Sequence, residues 1–142
     1  MNTFSLTILA ADNPFYSGPC ESLVVPSLDG KYGILANHSN MIIAVVPGTM
    51  IYRPPGKEDQ IIAVSHGVVK MENNDVLVLV DSAERVEDID ANRAKKAAAA
   101  AREAMLQSRS AREYRLARAQ MERALNRLRV KGNYDLFKGR ER

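Results

Sequence analysis

The chain has 142 residues, of which 46% are hydrophobic and 26% are charged. This length and balance suit one moderate globular domain or two small ones, and they exclude a disordered or low-complexity chain. The longest apolar run, Met41 to Val46, is far too short to span a bilayer, and the first residues lack the pattern of a signal peptide. We therefore expect a cytoplasmic chain without direct membrane insertion. A single cysteine, Cys20, excludes an internal disulfide.

The net charge of +3 is unevenly distributed along the chain. Residues 1–83 carry four basic and eight acidic side chains, whereas residues 84–142 carry sixteen basic and nine acidic ones. Opposite charge on two stretches with different hydrophobic periodicity indicates two domains that meet near residues 82–88. We predict a β domain over residues 1–84 and a helical domain over residues 88–131.

The first domain is predicted to contain only strands. Phe4, Leu6 and Ile8 alternate with more polar residues, which is the period of a strand with one buried face. Turn-forming residues separate the strands predicted at Thr3–Ala10, Glu21–Leu28, Tyr32–Leu35, Met41–Arg53 (one strand or a strand pair, bent at Pro47-Gly48), Gln60–Ser65, Val68–Glu72 and Val76–Asp81. Asp12-Asn13-Pro14 is expected to end the first strand, and the wholly apolar run Val76–Val80 predicts a central one. This pattern favours a sandwich or a barrel.

The predicted β domain has few residues in patterns typical of catalysis or metal binding. His38 and His66 are far apart in sequence, and no cysteine pair or carboxylate cluster accompanies them, so we predict no metal site. No Ser/His/Asp arrangement stands out, and the P-loop pattern and the GxGxxG fingerprint are both absent from the sequence. We therefore expect a binding scaffold and not an enzyme.

The second domain is predicted to be an antiparallel pair of helices, from about Ile89 to Gln107 and from about Ala111 to Lys131. Ser110 and Glu113 form a capping box at the start of the second helix. The apolar faces contain Ala94, Ala97, Ala98, Ala101 and Met105 on the first helix, and Tyr114, Ala117, Met121, Leu125 and Leu128 on the second. Alanine buries little surface, at about 0.8 kcal/mol per CH₂-sized group, so periodicity leaves open both a mobile arm and a fixed helical pair. Residues 132–142 are predicted to be a disordered tail.

Arginine is concentrated on the predicted helices. In an antiparallel pair Arg93, Arg123 and Arg127 are expected to converge, and guanidinium groups match phosphate oxygens bidentately. A solvated charged face is the alternative for these three residues. A second basic stretch contains Arg109, Arg112, Arg115 and Arg118. It motivates a nucleic-acid-binding module as an alternative function, although the helices lack an aromatic stacking platform.

Four motifs, in this order, resemble the epsilon subunit of bacterial rotary ATP synthases. They are Gly33-Ile34-Leu35 followed by His38, Ser65-His66-Gly67-Val68, the segment from Ala83 to Asp90, and the segment from Arg123 to Leu128. The resemblance extends from Thr3 to about Val130. It implies a β-sandwich of about ten strands followed by two helices, with no catalytic centre and no required cofactor. It also implies a place in the central stalk between the gamma subunit and the c-ring, hence a peripheral location at the cytoplasmic face of the membrane.

The resemblance implies roles for the helices as well. In many members of this family the helices extend into the alpha/beta catalytic head and block ATP hydrolysis, and in some members ATP binds the folded helices and favours that state. The implied ATP site contains Glu84, Ile89, Asp90, Arg93, Ala94, Arg123 and Arg127. The implied partner contacts are Lys31 and His38 in the sandwich and Arg109, Arg112, Arg115 and Arg118 on the second helix. Ala100 stands where a tight ATP binder has arginine, and Lys31 stands where relatives often have an acidic residue.

Overall fold

The computed structural model describes residues 2–11 and 13–140. These residues form two compact units that divide between Arg85 and Val86. The first unit contains ten strands, and the second contains a short 3-10 turn and two α-helices. The predicted architecture, an all-β sandwich followed by a helical hairpin, is confirmed.

The strands form two sheets of five. Their bounds are β1 Phe4–Ala10, β2 Asn13–Cys20, β3 Ser22–Ser27, β4 Gly30–Leu35, β5 Met41–Val45, β6 Gly48–Arg53, β7 Gln60–Val64, β8 Gly67–Glu72, β9 Asp75–Val80 and β10 Ala83–Arg85. The first sheet has the order β2-β1-β9-β8-β5, and the second has the order β10-β7-β6-β3-β4. Strands β1 and β9 pair in parallel.

Alternating side chains of both sheets build one core. Phe4, Leu6 and Ile8 of β1 are buried, as predicted from their period of two. The other fully buried large side chains come from several strands and include Leu23, Val25, Ile34, Met50, Ile62, Val64, Val69, Met71 and Val76. Strand β9 lies between β1 and β8, which confirms the predicted central strand.

Two strands were missed by the sequence prediction. Strand β2 contains Pro14, which suggested a break, and also Pro19, but β2 is the edge of the first sheet. Proline is tolerated there because an edge strand has one side without ladder partners. Strand β10 has only three residues, too few to show a period. Of the two alternatives predicted over Met41–Arg53, one strand or a strand pair, the structure has the pair: β5 and β6, which belong to different sheets.

Cys20 is fully buried at the end of β2. Its thiol donates a hydrogen bond of 3.0 Å to the Ser22 carbonyl oxygen, and burial raises the pKa of the thiol. Because folding favours the neutral thiol, its contribution to stability is present below the unfolded pKa of about 8.5 and is lost as the pH rises through the raised folded pKa.

We expect thiol reagents at pH 8 to modify Cys20 in urea but not in the native chain, as measured by mass spectrometry. Fast native labelling would contradict this.

The helices are α1, Ala91–Leu106, and α2, Ala111–Arg140. The Ser110 hydroxyl accepts a hydrogen bond of 3.1 Å from the Glu113 N–H, which is the first half of the predicted capping box. The Glu113 carboxylate accepts from the Arg109 N–H at 2.8 Å instead of from Ser110 itself. Both interactions fix the entry into α2.

Four buried alanines form the seam between the helices: Ala94, Ala101, Ala117 and Ala124. The predicted seam was wrong at Ala97, which is exposed, and at Tyr114 and Leu125, which are 40% and 48% exposed. Larger side chains do not fit where the two backbones approach through alanine, so they lie beside the seam. They line an open groove of about 630 Å³ between the helices.

The predicted disordered tail was wrong over residues 132–140, because α2 continues to Arg140. Gly132 suggested a stop, yet a glycine inside a helix costs only about 1 kcal/mol relative to alanine. Tyr134 in this stretch is half-buried, and Val130 just before it is buried. Glu141 and Arg142, the last residues of the predicted tail, lie outside the described residues.

Candidate functional site

The helical hairpin brings Arg93, Arg123 and Arg127 to one end. The buried alanine pairs Ala94 with Ala124 and Ala101 with Ala117 are both symmetric about position 109, as expected for antiparallel helices joined by a turn there. Arg93 is therefore level with the α2 stretch that contains Arg123 and Arg127. These two arginines are four residues apart and share a helix face. Three guanidinium groups at one end of a hairpin have the charge and the donors to bind phosphate.

Asp90 caps helix α1. Its Oδ1 accepts hydrogen bonds from the N–H groups of Asn92 and Arg93 at 3.0 and 3.1 Å. A carboxylate at this position also offsets the positive end of the helix dipole. Asp90 is thus the N-cap residue of α1, whose first helical residue is Ala91. The Arg93 side chain, in the first turn of α1, is exposed to solvent.

The other residues of the implied ATP site have different surroundings. Ile89 is 5% exposed, and its N–H donates to the Val86 carbonyl at 3.1 Å. Ala94 is 4% exposed in the seam between the helices. Glu84 belongs to the other unit, on β10, where it is paired in register with Ala63 of β7.

His38 lies in the loop between β4 and β5. Its Nδ1 is 2.9 Å from the Ser39 carbonyl oxygen, and its Nε2 is 3.1 Å from the Tyr32 hydroxyl oxygen. A carbonyl oxygen only accepts, so we assign the proton to Nδ1, and Nε2 then accepts from Tyr32. Lys31 is exposed at the start of β4, directly after Gly30, whose φ of +113° lies in the region that favours glycine.

Asparagines attach the His38 loop to the β8–β9 turn, and the sequence analysis missed them. The Asn37 N–H donates to the Asn74 side chain at 2.7 Å, and the Asn40 side chain accepts from the Asn73 N–H at 3.0 Å. Asn37, Asn73 and Asn74 all have positive φ, which asparagine tolerates better than most residues. The loop is therefore held in one conformation at the end of the sandwich.

The second basic group lies at the opposite end of the hairpin. Arg109, Arg112, Arg115 and Arg118 are all exposed, in the turn and the first half of α2. Arg118 forms an ion pair with Glu122 at 3.2 Å, between two largely exposed side chains. The helical unit thus has one arginine cluster near its first residues and another at its turn.

An exposed apolar row crosses the outer face of the first sheet, and it was also missed. Its members, which are opposite one another in the strand register, are the exposed Ala44, Val68 and Leu79 and the half-buried Leu9. Val68 is 36% exposed and Leu79 41% exposed, and Ile42 on β5 beside the row is 72% exposed. The wholly apolar run of β9 was the available signal, because a strand with one face in water usually alternates apolar and polar residues. We call Leu9, Ile42, Ala44, Val68 and Leu79 the outer apolar face.

No group of three His, Cys, Asp or Glu side chains in the part of the chain that the structure describes is arranged to hold a metal ion. No helix within residues 2–11 and 13–140 combines the length and the apolar character that a membrane crossing requires.

The fold and these surfaces define a two-unit class of protein, a β-sandwich with an outer apolar face followed by a basic helical hairpin. Residues 3–86 match the family model of the ATP synthase delta/epsilon chain β-sandwich domain. Residues 87–132 match the model of the long α-helix domain of the same chain. The chain belongs to the ATP synthase delta/epsilon chain family.

Individual relatives agree with this assignment. The ATP synthase epsilon chain of Ruminiclostridium cellulolyticum is 37% identical over 90% of this chain and 95% of its own length. That of Nitrosospira multiformis is 34% identical over 90% of this chain and 92% of its own length. The resemblance to the epsilon subunit family that the four motifs indicated is therefore confirmed. Neither relative supports the nucleic-acid-binding alternative.

Solved structures share the fold. A chain of the Euglena gracilis mitochondrial ATP synthase, solved as OSCP, F1 and c-ring, has a TM-score of 0.70 at 22% identity, covering 96% of this chain and 82% of its own. A chain from the central stalk and c-ring of the Tetrahymena thermophila enzyme has a TM-score of 0.60 at 12% identity, covering 92% and 94%.

Proposed function

We propose that this chain is a non-catalytic rotor subunit in the central stalk of a proton- or sodium-translocating ATP synthase. Its sandwich binds the gamma subunit and the c-ring, and its helical unit regulates ATP hydrolysis by the alpha/beta head. The proposal draws on family membership, on relatives that are ATP synthase epsilon chains, and on fold neighbours that come from F1, central-stalk and c-ring assemblies. Its location is then peripheral, at the cytoplasmic face of the membrane, through these partners.

The outer apolar face is the observation that carries this proposal. Its row of side chains spans four neighbouring strands, and the sheet beneath it is fixed by a complete core. Contiguous exposed apolar surface on a rigid sheet is typical of a protein interaction site. We assign this face to the gamma subunit because a rotor subunit must turn with the stalk and needs a permanent, largely apolar contact.

The β3–β4 turn is the proposed contact with the c-ring. Leu28 is 82% exposed in this turn, and the ammonium group of Lys31 follows three residues later. An apolar side chain beside a cation suits a polar loop of the ring that carries acidic groups. The asparagine-held loop with His38 is a further proposed partner contact, because its conformation needs no ordering on binding.

The helical unit is the proposed regulatory arm. Its two helices share their own alanine seam, so the hairpin is a compact unit by itself. The exposed arginines at the turn form a basic tip, which suits an acidic surface on the beta subunits of the catalytic head. Insertion of this tip into the head would block the conformational changes that ATP hydrolysis requires.

ATP is the proposed regulatory ligand of the arm. Arg93, Arg123 and Arg127 supply three cations at the end of the hairpin where α1 begins, a charge that suits a triphosphate. A ligand that binds the folded arm better than the extended arm shifts the population toward the folded state. ATP would then relieve or delay inhibition when it is abundant.

Calorimetry with ATP tests the nucleotide site. We expect Arg93→Ala and Arg123→Ala each to weaken ATP binding by about tenfold, because each removes a charge-assisted hydrogen bond to phosphate. Arg112→Ala is the matched control, since it removes one exposed arginine from the opposite end of the same hairpin. Equal affinities for the wild type and both site variants would show that the cluster is a solvated charged face.

A further inference from the structure

Lys131 on α2 makes an unusual contact for a lysine. Its side chain is only 19% exposed, and its Nζ lies 3.4 Å from the Val86 carbonyl oxygen. The same carbonyl accepts the Ile89 N–H at 3.1 Å, the hydrogen bond that closes the 3-10 turn Val86–Asp88. We call Val86–Asp88 the linker turn. Lys131 thus contacts the acceptor that closes the linker turn.

The linker turn belongs to the helical unit. Val86 is 1% exposed and Ile89 is 5% exposed, and the facing stretch of α2 contributes buried Asn126 and Val130. The segment that leads into α1 is therefore packed against the C-terminal half of α2. A change that loosens α2 at this level would also loosen the turn.

Among the residues that the structure describes, two further neighbours of the Lys131 ammonium are weak partners. Asp135 Oδ1 is 3.8 Å away on a side chain that is 61% exposed, and such a pair contributes little in water. The Tyr134 ring centroid is 5.5 Å away. Both residues lie beyond position 132, where the family-model match ends, so these contacts belong to the extension of α2 in this chain.

Lys131 also extends the row of cations on α2. Arg123, Arg127 and Lys131 are spaced by four residues, which places them on one helix face. An ammonium group has three N–H donors, and the Val86 carbonyl uses one. Donors therefore remain for a phosphate group held by the two arginines.

We propose that Lys131 binds the Val86 carbonyl and a phosphate group of an anionic ligand at the same time, and so couples ligand binding to closure of the linker turn. The ligand half of this inference rests on the proposed nucleotide site; the contact with Val86 does not. Ligand binding at Arg123 and Arg127 holds the ammonium in place, and the ammonium holds the acceptor that closes the turn. Lys131 is a positioning residue for the turn as well as a ligand-binding residue.

Amide hydrogen exchange of the full chain without ligand tests the first contact. Lys131→Met keeps the apolar stem and removes the charge, and Lys96→Met is the control, an exposed lysine on α1. We expect the Ile89 amide to exchange about tenfold faster in K131M and at the wild-type rate in K96M, with the Ala98 amide of α1 unchanged in both. An unchanged Ile89 rate in K131M would overturn the proposal. Equal acceleration at Ile89 and Ala98 would overturn it too, since Lys131 would then support the whole hairpin.

The same measurement with saturating ATP, and separately with inorganic triphosphate, tests the coupling. In the wild type we expect either probe to slow Ile89 exchange, and in K131M we expect about tenfold weaker binding by calorimetry and no slowing at saturation. Lys131→Arg keeps the charge and is expected to restore part of both effects. Equal slowing in K131M and the wild type would overturn the coupling while the nucleotide site stands. If the wild type binds neither probe, the nucleotide site and the coupling both fail, and the ligand-free rates decide the Val86 contact alone.

Discussion

A chain that ends at Arg85 is expected to assemble with the other ATP synthase subunits and to raise the rate of ATP hydrolysis several-fold. The sandwich keeps its whole core after this truncation, because the division into compact units falls between Arg85 and Val86. The removed part contains the basic tip proposed to enter the catalytic head. The rate is measured on the reconstituted enzyme with and without the truncation. Unchanged hydrolysis, with the truncated chain present in the complex, would remove the inhibitory role.

Charge variants of the full chain separate two mechanisms of inhibition. Replacing Arg109, Arg112, Arg115 and Arg118 with alanine, one after another, should reduce inhibition step by step if the tip binds an acidic surface. Lys95→Ala with Lys96→Ala is the control, because both lysines are exposed on α1 away from the turn. Full inhibition by the fourfold variant would indicate that the arm blocks the head by its bulk and not by its charge.

A single carboxylate on the outer apolar face is expected to abolish stable binding to the gamma subunit. Val68→Asp or Leu79→Asp would bury an unpaired charge in the proposed interface, which costs several kcal/mol, and 3 kcal/mol corresponds to about a hundredfold loss of affinity. Both side chains are partly exposed in the free chain, so the sandwich itself should tolerate the change. Calorimetry with purified gamma subunit measures the effect.

The matched control for the outer apolar face is Leu116→Asp. Leu116 is 58% exposed on α2, so it receives the same chemical change in the other unit. Circular dichroism and thermal unfolding confirm that each variant is folded. Wild-type affinity of both V68D and L79D for gamma would assign the outer apolar face to another partner or to none.

The strands that could be predicted are those whose pattern is local. The alternation of Phe4, Leu6 and Ile8 predicts β1 because strand geometry itself has a period of two. Strand β2 could not be predicted, since Pro14 is compatible with a strand only at an edge, and edges are defined by the pairing of distant segments. The same holds for β10, a strand of three residues that exists because β7 lies beside it.

The candidate sites also include features that could be predicted from the sequence and features that could not. It could be predicted that Arg93 lies at the same end of the hairpin as Arg123 and Arg127, because two helices joined by a short turn must run antiparallel. The contact of Lys131 with the Val86 carbonyl could not be predicted, since 45 residues separate them and Gly132 suggested that α2 had ended. The outer apolar face could not be predicted either, because its members come from four separate strands, β1, β5, β8 and β9.

The sequence by itself determined the two-unit plan, the Ser110 cap of the second helix, the family and the two clusters of arginine. These depend on periodicity, turn chemistry and charge, which act between residues close together in the chain. Only the tertiary structure decided which apolar side chains remain exposed, that α2 continues past Gly132 and what the ammonium of Lys131 contacts. The physical reason is that burial and long-range hydrogen bonds depend on which distant segments meet. That choice minimises the free energy of the whole fold and not of any one segment.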